Sequence, residues 1–156
     1  EGAMGDAAAA ACSVLKSERE VDAIQLDDEP EWARFIDAAY LNGEYANAFR
    51  DLDRSAETAR FATLSAAEAS RQSRARRGSL AHATLARSAL TTRDLEAAAA
   101  EASTAVRLAV AVKSRRSTDA VHDLQERMTE HKTSPAVSEF FELADALVPR
   151  PSGDDS

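Results

Sequence analysis

Apolar positions recur at three- and four-residue steps in two long stretches, each followed by a short polar turn and a run of small residues. In the first, Trp32, Phe35, Ile36 and Ala39 lead to Leu52-Asp53-Arg54, and an alanine-rich helix is predicted from Ser55. In the second, Leu80, Leu85, Ala86 and Ala89 lead to Thr92-Arg93-Asp94, after which Leu95, Ala98, Ala102, Ala105, Ala109 and Val112 carry the inner stripe. Each pair reads as a long helix, a tight turn and a small-residue helix. Trp32 to Arg71 thus forms a repeat of roughly 39 residues, in the range of helix-pair repeats.

The spacing predicts about seven helices. The first covers 7–24, with Asp6 as N-cap and Ala7, Ala11, Val14, Leu15, Val21 and Ile24 facing inward. Asp27-Asp28-Glu29-Pro30 ends it and starts a second, which crosses Gly43 and runs to Leu52, because carboxylates and proline both favour a first helical turn. The third is predicted over 55–69 and the fourth over 70–91, with their break at 65–70. The fifth covers 94–113. The sixth starts at Ser117, capped by its hydroxyl and supported by Asp119, with Val121, Leu124 and Met128 inward. Ser134-Pro135 opens the seventh, whose face is Val137, Phe140, Phe141, Ala144, Leu147 and Val148. It is expected to lie across the last repeat as a cap.

The fold class expected is all-α: an antiparallel helix-pair solenoid of tetratricopeptide-like form, with a C-terminal capping helix. Residues 5–148 read as one helical-repeat domain and 149–156 as a disordered tail. Glu1-Gly2-Ala3-Met4 resembles what a cloning and cleavage site leaves behind, which would make the chain an excised piece.

Composition sharpens the core. Alanine occurs 35 times and aromatics make up 5%, so helices must approach closely with small side chains between them. No proline lies between Pro30 and Pro135, and strand alternation is missing. The net charge of −8 argues against phosphate binding, so direct nucleic-acid contact is not expected. Cys12 beside Ala11 and Leu15 reads as a small buried hydrophobe in a reducing compartment. No apolar run approaches the roughly 20 residues needed to cross a bilayer. A cytoplasmic protein without a membrane partner is expected.

Candidate chemistry is sparse. His82, His122 and His131 lack companions at metal-ligand spacing and read as surface histidines, so no metal and no cofactor is expected. No phosphate loop, nucleophile elbow or paired acid and base can be singled out, and no catalytic residue is assigned. Two clusters remain. Arg71, Arg74, Arg76 and Arg77 form a dense cationic run, with Arg71, Arg74 and Arg77 along one face if a single helix carries them. They pair with acids such as Asp37 or Glu44 across the stacked helices, clamp a carboxylate or other anion, or, as the least favoured reading, contact nucleic acid. Tyr40 and Glu44 share a face with Asp37 nearby, as packing or as a recognition surface. The candidate binding residues are Asp37, Tyr40, Glu44, Arg74 and Arg77.

The run from Trp32 to Ala46, Phe49-Arg50-Asp51-Leu52, Arg74-Ala75-Arg76-Arg77, Val112-Lys113-Ser114-Arg115-Arg116 and Ala136-Val137-Ser138-Glu139-Phe140-Phe141 occur in that order. Together they resemble the C-terminal tetratricopeptide-like region of actinobacterial helix-turn-helix transcriptional regulators. The resemblance implies the sensory or assembly half of a regulator of differentiation or antibiotic production, with DNA-reading helices elsewhere. The expected activity is binding, not catalysis: a peptide, protein segment or small effector in a concave groove, with homodimerisation or scaffolding as the alternative.

Overall fold

The computed structural model describes residues 38–150, together with Ala9, Ser13 and Lys16. Six α-helices have defined bounds among them: α1 (Ala38–Asp51), α2 (Ser55–Arg71), α3 (Ala75–Thr91), α4 (Leu95–Val112), α5 (Arg115–Met128) and α6 (Pro135–Leu147). A single 3₁₀ turn, Thr129–His131, follows α5. The expected first helix over 7–24 lies outside the described residues except for Ala9, Ser13 and Lys16, which are helical. The described part is all-helical, with no strand among the described residues.

One turn is used repeatedly. Asp53, Ser73, Arg93 and Lys113 have φ of 55°, 54°, 59° and 47°, so a left-handed residue recurs every twenty positions. In the first three turns the next residue's amide reaches back five positions: Arg54 to the Phe49 carbonyl, Arg74 to Ala69 and Asp94 to Ala89, at 2.9, 2.8 and 3.0 Å. This is the Schellman closure, which satisfies carbonyls orphaned at a helix end. None of the four residues is glycine, so each carries a left-handed cost of roughly 1–2 kcal/mol, which those hydrogen bonds offset at Asp53, Ser73 and Arg93.

Two boundaries differ from expectation for this reason. The break expected at 65–70 falls at Gln72-Ser73-Arg74, because the alanine-rich stripe continues through Ala66 and Ala69 before the chain turns. Arg71, Arg74 and Arg77 therefore do not share one helix: Arg71 ends α2, Arg74 is the N-cap residue of α3 and Arg77 lies in its first turn. The sixth helix starts at Arg115 with Ser114 as N-cap, not at Ser117, since the left-handed Lys113 has already closed α4. Ser117 is instead wholly buried. Asp94 caps α4 by accepting the Ala97 amide at 3.0 Å. Ser134 holds the N-cap position before Pro135, but its hydroxyl makes no capping bond.

Small residues let the helices meet backbone to backbone. The Ser65 hydroxyl of α2 donates to the Ala39 carbonyl of α1 at 2.6 Å, and Ser79 of α3 donates to the Ala105 carbonyl of α4 at 3.0 Å. Both serines are fully buried. Two hydrophobic clusters stand out among the described residues. Phe49 and Phe61 stack at 5.4 Å between α1 and α2, with the Tyr45 ring edge-on to Phe61 at 5.4 Å. The larger core runs from Ala83 to Val148 and sets alanines of α3 and α4 against Leu124, Met128 and Phe140. Successive helices α1 to α4 pack on each other, and α3 also touches α1 and α5. The last helix packs chiefly on α4, with little contact to α5, its neighbour in sequence.

Candidate functional site

Arg77 is the centre of the predicted cluster. It projects from the first turn of α3 onto α1, where Tyr40 and Glu44 stand one helical turn apart and so present a common face. The guanidinium carbon lies 4.7 Å from the centre of the Tyr40 ring, and Nη1 is 3.6 Å from Glu44 Oε1. The Arg77 side chain is 17% exposed and that of Glu44 42%. Gly43 makes the fit possible, because a Cβ there would sit 2.7 Å from Arg77 Nη1 and 3.3 Å from Ser65 Oγ. The structure thus brings Tyr40, Glu44 and Arg77 together. Arg74 is exposed at the N-cap of α3. Asp37 lies outside the described residues. Arg71 pairs with Glu68 of its own helix.

From this cluster a groove of ≈ 270 Å³ runs along α3. Gly43, Asn47 and Arg50 of α1 form one wall and Arg116, Asp119 and Asp123 of α5 the other, with Arg77, Leu80, Thr84 and Arg87 as the floor. A second hollow of ≈ 140 Å³ shares Arg50, Thr84 and Arg87 and extends the groove to Arg54 and Arg127. Three alternate helices therefore contribute to one concave surface, and arginine is its commonest charged residue.

Most of these arginines are neutralised in place. Arg50 holds Asp51 at 2.8 Å and Asn47 at 3.1 Å. Arg87 Nε and Arg127 Nε meet at Asp123 Oδ2, at 2.9 and 2.8 Å. Partial burial would push the Asp123 carboxyl up, but the hydrogen bond from Arg127 and the charges of Arg87 and Arg127 outweigh it and hold the group below its ordinary value. The α5 wall was not legible as a site because Asp123, besides its local partner Arg127, meets Arg87 from a helix 36 positions earlier in the chain. A local signal does exist: positions 43, 47 and 50, then 77, 80, 84 and 87, then 116, 119, 120 and 123, recur at helical spacing opposite the alanine stripes.

Two of the three histidines make structural contacts where surface positions were expected. His82 Nδ1 lies 2.6 Å from Glu101 Oε2 across α3 and α4, and His122 Nε2 lies 3.1 Å from the Val148 carbonyl. Both are part-buried, while His131 is exposed. Among the described residues no group of three His, Cys, Asp or Glu side chains could hold a metal ion, and no helix is long and apolar enough to cross a membrane. Compared with known proteins, the chain matches no family model, no curated protein and no solved structure, so the arginine-lined groove stands on its geometry alone.

Proposed function

We propose that this chain is a binding module that takes an extended segment of another protein in the groove along α3. The observation that carries the reading is the convergence of α1, α3 and α5 on one concave polar surface. Helix-pair repeats offer their first helices to a partner in this way, and each repeat lengthens the contact. The twenty-residue recurrence of the left-handed turn supports a tetratricopeptide-like solenoid built in steps of two helices. The lining is too polar, and the hollow too open, for a purely apolar effector.

The biological setting is proposed from the resemblance alone: the regulatory half of a bacterial transcriptional regulator, non-enzymatic and cytoplasmic, leaving DNA contact to another part of the protein. The net charge of −8 supports that division of labour. Selection from a displayed library of random peptides tests the binding reading. Wild type should enrich a binding population, and Asn47→Trp, which places an indole between the α1 and α5 walls, should abolish that enrichment without loss of helix content. Enrichment that persists unchanged in the Asn47→Trp variant would place binding elsewhere.

A further inference from the structure

The charge of the groove is uneven along its length. At the amino end of α3 it opens into a wider recess of ≈ 590 Å³, which shares Arg116 and Asp119 with the groove. Arg76, Lys113 and Arg115 complete its charged lining. Arg115 approaches Asp119 at 3.9 Å, with both side chains largely in solvent. Arg76, Lys113 and Arg116 are exposed and make no ion pair among the described residues. At the opposite end the cations are spoken for, since Arg54 pairs with Glu57 and Arg127 with Asp123.

The described surface therefore concentrates unpaired positive charge at one end of a groove whose middle is already compensated. That pattern selects among polyanions. A nucleic acid carries its charge evenly along its length and would meet Asp123 and Glu44 wherever it left the recess. An acidic peptide can confine its carboxylates to one end and present neutral polar side chains to the rest.

Resting on the groove-binding reading, we propose that the partner is a peptide segment with Asp or Glu clustered at one end. That end sits against Arg76, Lys113 and Arg116, and the remainder runs along α3 between Asn47 and Ala120. The recess sets the direction of the bound chain, and guanidinium groups can grip each carboxylate at two points. Three largely exposed pairs, each of modest strength, sum to a preference of about ten-fold over a neutral peptide.

The same displayed library provides the test, run in parallel with a random single-stranded nucleic-acid pool at about 150 mM ionic strength. Peptides enriched by the wild-type protein should carry a cluster of Asp or Glu toward one end. The best of them should lose about ten-fold in affinity when its acids become Asn and Gln. The triple variant Arg76→Glu, Lys113→Glu, Arg116→Glu should instead enrich peptides with a basic cluster at that end, while Arg107→Glu, exposed outside the recess, should leave the selection unchanged. Enrichment without an acidic cluster overturns this inference and leaves the groove reading standing. No enrichment at all overturns both. Preferential capture of the nucleic-acid pool replaces the peptide with a phosphate backbone and likewise overturns it.

Discussion

Arg77 and Gly43 oppose each other energetically. A glycine inside α1 costs up to about 1 kcal/mol relative to alanine, yet a Cβ at position 43 would press on the Arg77 guanidinium at 2.7 Å. The cluster is part-exposed, so the ion pair with Glu44 contributes little and the stack on Tyr40 contributes about 1 kcal/mol. Arg77→Ala should therefore lower stability by about 1–2 kcal/mol, including lost packing of its stem. Gly43→Ala alone should be close to neutral, because helix propensity gains what the displaced stack loses. In the Arg77→Ala background the same change should stabilise by roughly 0.5–1 kcal/mol. Urea unfolding of the four proteins closes the cycle; purely additive effects would show that the glycine is not there for the arginine.

Asp123 gives a second residue-scale expectation, with a definite sign. Its carboxyl is held below its ordinary value of 3.8, so it binds protons less readily folded than unfolded. Its contribution is present at neutral pH and disappears as pH falls below about 4 through the folded-state value. Asp123→Asn should therefore destabilise the protein at neutral pH and much less near pH 3. An equal effect at both would mean that Arg87 and Arg127 do not stabilise the carboxylate.

The local devices of the elements are strained turns. Ser73 occupies left-handed space without being glycine, is exposed, and leaves the reverse-turn hydrogen bonding to the backbone. Ser73→Gly should raise stability by about 0.5–1 kcal/mol, read as a shift in the unfolding midpoint at constant slope. A decrease would mean that the serine side chain holds the turn. This strain also explains what could and could not be read from the sequence. Turns at 52–54 and 92–94 were legible because polar residues interrupt an apolar stripe there. The turn at 72–74 sits in an alanine- and arginine-rich stretch that favours helix on both sides, so only the backbone geometry marks it. Tyr40, Glu44 and Arg77 were legible as a cluster because α1 and α3, expected to pack side by side, do touch. Asn47, Arg87 and Asp123 were not, since one helix at a time they read as a solvated face and only the packing of α1 and α5 beside α3 makes them walls.

At the scale of the molecule, the core is unevenly distributed among the described residues. There the α1–α2 core is a handful of residues around two phenylalanines, whereas α3 to α6 share a continuous core closed by Phe140 and Phe141. The part of the described structure with the smaller core should open first. Native-state hydrogen exchange should find α1 and α2 amides opening at lower free energy than the centres of α3 and α4. Uniform protection would indicate one cooperative unit. Since α1 supplies one wall of the groove, a ligand held there should slow its exchange most.

The constant distance between left-handed residues implies a rule for how the chain could change length. Each block of twenty residues reverses the direction of travel, so inserting or removing one block would point every later helix the wrong way. Two blocks restore it. Duplicating residues 75–114 should leave both flanks in register, yield a longer protein that still melts cooperatively, and extend the surface available to a partner by one further helix of the α3 type. Descendants of this architecture would therefore be expected to differ in size by whole pairs, as sentences lengthen by clauses rather than by letters.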